Sequence, residues 1–173
     1  MRKISLIILL CFASCKNDSK QDVQNISKDP EVFEVKLNMI VESDDSFQIF
    51  YTQSEGEQFD EKNSIWKEVK GSTEPQEIVF KFNEDVLPNN LRIDLGVNKN
   101  QMPMKLISLK MEYFDKAYEL KDTMILKNFV ISEQLDYDKS TSTLFLKKQN
   151  FSFYDPLLYP QDNLKQELLN LIR

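Results

Sequence analysis

Between residues 33 and 42 the chain changes polarity at almost every step. Phe33, Val35, Leu37, Met39 and Val41 are apolar, Glu34, Lys36, Asn38 and Glu42 are polar, and only Ile40 breaks the pattern. Successive side chains of a strand point to opposite faces, so a period of two puts all five apolar residues on one buried face. A helix would scatter them around its circumference. "SFQIFYTQ" repeats the pattern with Phe47, Ile49 and Tyr51, and the acidic Ser43-Asp44-Asp45 before it reads as a hairpin or a short connection.

Further runs of the same kind follow: "SIWKEV", "EIVFKF", "LRIDLGV", "LISLKMEYF" with Ile107, Leu109, Met111 and Tyr113, "TMILKNFVIS", "TLFLKK" and "NFSFY". That makes about nine candidate strands with turn signals between them, the spacing of an all-β sandwich. Only three glycines are present, so Asn, Asp and Pro must carry the turns. One helix is expected, at the end: Leu164, Leu168, Leu171 and Ile172 form an apolar stripe and Asp162 is the candidate cap. The expected fold is a single antiparallel β-sandwich, jelly-roll-like, with one C-terminal helix, spanning residues 31–173.

The first fourteen residues read differently. Arg2 and Lys3 precede an apolar run from Ile4 to Phe12, which closes on Phe12-Ala13-Ser14-Cys15. A membrane-spanning helix needs about 20 apolar residues, and a run of roughly half that suits a secretory signal peptide. Two small residues followed by a cysteine resemble the lipobox of bacterial lipoproteins. The resemblance implies that residues 1–14 are cut off, that Cys15 carries diacylglycerol and an acyl chain, and that the protein is held in a lipid bilayer. Phe12 departs from the aliphatic residue usual in that family. An ordinary signal peptide or a short buried helix is the plainer reading. Residues 15–30 then form a lipidated cysteine and a tether with only two aliphatic side chains, too few to order it. Extended, "KNDSKQDVQNISKDP" reaches roughly 50 Å. Lys16 is not the aspartate that retains enteric-type lipoproteins at the inner membrane. The resemblance therefore implies the outer membrane, facing either the periplasm or the outside.

Composition removes whole chemistries. The chain has no histidine, so imidazole bases, imidazole metal ligands and triads built on them are excluded. Cys11 leaves with the leader and Cys15 is blocked by its lipid, which leaves no thiol for catalysis, zinc or a disulfide. Loss of Arg2 and Lys3 with the leader takes the formal charge from −6 to −8, and no basic stripe offers itself to nucleic acid. Asp44, Asp45, Asp60, Glu61 and Asp94 are the carboxylates a glycosidase could pair, but acidic residues in turns are expected to be solvated. "SDDS" and "FDEKNS" lack the ordered spacing of a calcium loop. The expectation is a non-enzymatic protein without metal or cofactor.

Four residues are candidates for ligand binding. Arg92 and Asp94 stand two apart in a strand and so share a face, suited either to a structural ion pair or to a ligand contact. Trp66, alternating with Ile65 and Lys67, is the first candidate for a flat ring that stacks on a sugar; the plainer reading is core. Tyr51 comes next, with Phe50, Tyr154 and Tyr159. The order "FQIFYT", "FDEKNS", a strand ending in "VKG", "EIVFKF", "LRIDLG" and "LISLKM" over residues 47–111 resembles extracytoplasmic β-sandwich modules of bacterial polysaccharide-handling membrane proteins, which are akin to carbohydrate-binding domains. Leu95 stands where many such modules have proline. The resemblance implies the sandwich first; the expected function is a lipid-anchored envelope binding or interaction module, with glycan as the most specific ligand class. The alternative is a structural accessory lipoprotein docking on an envelope protein complex. Exposed flat rings on a sheet face favour the first, and a broad apolar patch or open apolar edge the second.

Overall fold

The computed structural model describes residues 32–147 and 151–173. The leader, Cys15 and the whole of the tether lie outside the described residues. Among those described, eleven strands form two antiparallel sheets packed face to face, with a C-terminal helix. The strands are β1 (Glu34–Val41), β2 (Asp45–Thr52), β3 (Ser64–Val69), β4 (Ser72–Lys81), β5 (Asn90–Asp94), β6 (Met104–Tyr113), β7 (Lys116–Leu120), β8 (Phe129–Ile131), β9 (Leu135–Asp138), β10 (Thr143–Leu146) and β11 (Leu157–Pro160). A four-residue helix, α1 (Ile125–Asn128), precedes β8, and α2 (Asp162–Ile172) ends the chain. Sheet one runs β4-β1-β6-β10-β9 with β7 also paired to β6, and sheet two runs β3-β2-β5-β11-β8. No helix among the described residues is long and apolar enough to cross a membrane.

The alternating residues are the core. Phe33, Val35, Leu37 and Met39 are fully buried and meet Phe47, Ile49, Leu91 and Ile93 of the other sheet in one cluster. Each such side chain contributes about 1.5–3 kcal/mol through burial. In β6 the phase slips. The pairing with β1 shifts between Asn38 and Met39, so Leu106 is buried along with Leu109 and Met111 while Ile107 is only half-buried. Strict alternation from Ile107 missed this bulge, because an inserted residue flips every side chain beyond it.

The other departures lie in the second half. "TMILKNFVIS" begins as a helical turn (Asp122–Met124 and α1), and only Phe129–Ile131 is a strand. In "NFSFY" the described residues 151–154 are not a strand; β11 begins three residues later, at Leu157. β7 and β9 were not anticipated, being short and bordered by charged residues. The apolar stripe of α2 is as expected, with Leu164, Leu168 and Leu171 buried, and the helix touches strands of both sheets. Its N-cap is Gln161, without a side-chain cap bond; Asp162 is the first helical residue, where its charge still suits the helix dipole.

Candidate functional site

The outer face of sheet two carries three of the four candidate residues. Strand register sets them in rows: Trp66 of β3 opposes Gln48 of β2, Gln48 opposes Asp94 of β5, and Asp94 opposes Leu157 of β11. The next row holds Ser64, Phe50 and Arg92. Arg92 donates from Nε and Nη2 to the two oxygens of Asp94 at 2.9 and 2.8 Å, a planar fork on a planar acceptor. Its guanidinium also lies 4.0 Å from the Phe50 ring centre, which it covers. Two constraints on one side chain fix its position.

Trp66 is 52% exposed. Its indole therefore faces solvent, against the plainer reading of a core tryptophan. Tyr51 does the reverse. It points inward, packs against Phe82 with ring centres 5.2 Å apart, and stands apart from the other three candidates. The parity of β2 requires this, since Tyr51 is in step with Phe47 and Ile49 while Gln48 and Phe50 face out.

Trp66, Gln48, Arg92 and Asp94 line a cavity of about 250 Å³ together with Glu61, Tyr154 and Asp155. Glu61 is held there by a turn that Asp60 caps through the Lys62 N–H, and its carboxylate accepts from Gln48 Nε2 at 2.9 Å. Gln48 donates as well to Ser64 Oγ at 2.9 Å. Burial pushes the Asp94 carboxyl up, against the pull of Arg92, and the Asp155 and Glu61 carboxylates add to the rise. Burial works to lower Arg92, but its bonds to Asp94 hold it above the ordinary arginine value. Two carboxylates, Asp94 and Asp155, thus act on one guanidinium. The result is a small polar hollow of fixed acceptors and a paired cation beside an exposed flat ring, suited to a ligand with hydroxyl groups and an apolar face.

Of the acidic residues expected to be solvated, Asp44, Asp60 and Glu61 are exposed, whereas Asp94 is half-buried and Asp45 is buried. Asp44 also pairs with Lys70 and accepts the Gly71 N–H. Among the described residues no three carboxylates converge in a group that could hold a metal ion. Gln48 and Asp155 were not among the candidates from sequence. Gln48 had a signal, as the polar residue alternating with Phe47 and Ile49; Asp155, brought in from a distant loop, had none.

A second hollow, of about 800 Å³, lies beside the first between the loop 99–103 and the segment around Phe145 and Phe153. Comparison of the chain with protein-family models, curated proteins and solved structures finds no match. The class defined by fold and site is an antiparallel β-sandwich with a polar and aromatic hollow on the outer face of one sheet.

Proposed function

We propose that the chain is a lipid-anchored envelope module that binds glycan, without turning it over, at the hollow lined by Trp66, Gln48, Arg92 and Asp94. The observation that carries the reading is the exposed Trp66 ring in register with Gln48 and Asp94. Sugars present an apolar ring face and a rim of hydroxyls. An indole and a row of planar acceptors answer both at once, at the cost of little side-chain ordering because the polar groups already bond one another. A cavity of about 250 Å³ falls just below the usual range of roughly 300–1,000 Å³ for drug-sized ligands, which suits one sugar unit.

Position supports the same reading. β1 begins at Glu34, beside the tether, and ends at Val41, and eight residues of strand cover about 26 Å. Ser46, Asp94 and Gly96 of the hollow lie at the Val41 end, tied there by the β1–β2 connection and the Asp45 side chain. The hollow thus lies at the end of β1 opposite Glu34, away from the point where the tether joins the sandwich in sequence.

The test is an oligosaccharide array probed with the purified chain and with Trp66→Ala. Wild type should bind at least one glycan class, and the variant should lose that binding at least tenfold. Its stability should stay within about 0.5 kcal/mol, because the ring is largely exposed. Tyr51→Ala, by contrast, should cost about 3–5 kcal/mol as a core deletion. A chain that binds no glycan, or a Trp66→Ala variant that binds as well as wild type, would overturn the proposal.

A further inference from the structure

The two hollows share their walls. Tyr154 lines both, and one loop supplies Gly96 and Val97 to the smaller and Lys99 to Pro103 to the larger. The Tyr154 hydroxyl donates to the Asn98 carbonyl at 2.9 Å and so fastens the aromatic segment to that loop. Gln134, which is buried, holds the same segment from behind: its Nε2 donates to the Phe153 carbonyl at 3.0 Å and its Oε1 accepts the Asp155 N–H at 2.8 Å. A single glutamine thus positions Phe153 in the larger hollow, Tyr154 between the two, and Asp155 in the smaller.

We propose that the two hollows are subsites of one cleft that takes a linear oligosaccharide of several units, a step that rests on the glycan reading above. The larger hollow, about 800 Å³, has room for more than one sugar unit, and Phe153 and Phe145 offer exposed rings along it, 66% and 40% accessible. Such rings in water are costly unless covered, and the apolar faces of successive sugars would cover them. Joined subsites also answer the weakness of a small one. A second unit of the same chain binds at the high effective concentration set by its linkage, so affinity rises with chain length until the cleft is full. Tyr154 is the ring over which the chain passes. Burial pushes its hydroxyl well above the usual tyrosine value, so it stays neutral and keeps its one proton on the Asn98 carbonyl.

The experiment is calorimetric titration of the whole chain with malto-, cello-, xylo-, manno- and chito-oligosaccharides of two and six units. The hexamer of the recognised series should bind at least tenfold tighter than its dimer. Phe153→Ala, at an exposed position, should weaken the hexamer at least fivefold and the dimer by less, whereas Trp66→Ala should weaken both alike. Equal affinity for dimer and hexamer, with Trp66 still required, would overturn the cleft and leave the glycan reading standing. Length dependence that survives Phe153→Ala and Phe145→Ala would place the further units elsewhere and overturn it as well. Absence of binding at either length in all series would overturn both.

Discussion

The Asp45 carboxylate occupies the space that a side chain on residue 96 would need. A Cβ at Gly96 would run into the Asp45 carboxylate, and Gly96 has φ +109, a conformation that L side chains rarely adopt. The same carboxylate accepts the N–H groups of Val97 and Asn98 at 2.7 and 3.0 Å and the Gln101 amide at 2.9 Å. One buried aspartate therefore shapes the loop that walls both hollows, and the glycine of "LRIDLG" is what lets it approach.

Gly96→Ala should accordingly destabilise the chain by about 1–3 kcal/mol, through backbone strain and the clash together. Asp45→Ala should cost a similar amount, about 1–3 kcal/mol, by leaving loop amides without their acceptor. Because removal of the carboxylate also removes the clash, the double variant should be more stable than the sum of the two single losses implies. Urea unfolding of the three variants checks this, and strict additivity would mean that the two residues do not constrain each other.

Stability should be flat across neutral pH and fall in acid. On the outer face of sheet one, Glu34 pairs with Lys81 at 2.9 Å and with Lys36 at 3.2 Å, and Glu112 pairs with Lys36 and Lys110. Burial works to raise both glutamates, but bonds to the lysines outweigh it and hold their pKa values below the ordinary 4.5. A depressed carboxylate gives stability that is fully present above its unfolded value and is lost as pH falls through the folded one. Lys36 is raised above 10.5, chiefly by Glu112, so its share persists to that pH and is lost only above it. No histidine titrates between these limits. The denaturation midpoint should thus change little from about pH 5 to 9 and drop below about 4.5. Glu34→Gln should cost about 1–3 kcal/mol at pH 7 and make the acid limb shallower. An acid limb unchanged by Glu34→Gln would remove Glu34 from the account.

The proposed anchor is tested at Cys15. Cys15→Ser should abolish palmitate labelling and leave either precursor or a soluble form, because the lipid-transfer step needs a thiolate at the cleavage site. Acyl burial contributes about 0.8 kcal/mol per methylene, so loss of the chains should release the protein from the membrane fraction. Cys11→Ser should change neither labelling nor fractionation. Labelling that survives loss of Cys15, or vanishes with loss of Cys11 alone, would overturn the lipid assignment.

Sequence by itself determined what depends on near neighbours. Alternation gave the inward faces of β1 and β2, the i, i+2 spacing gave the Arg92–Asp94 pair, and the leucine stripe gave the buried face of α2, because backbone geometry fixes where side chains two or four residues apart must point. The same parity puts Tyr51 on the inner face, opposite Gln48, although the sequence offers Tyr51 as a ligand candidate. It could not say that Trp66 is exposed, since β3 is an edge strand only by virtue of how the sheet is ordered. Nor could it place Trp66 in a row with Gln48 and Asp94, or bring Phe153 to Asp155 against a loop more than fifty residues earlier. Those contacts are set by strand order and register. Both depend on which arrangement buries the most apolar surface with every backbone group paired, a property of the whole chain that no local window contains.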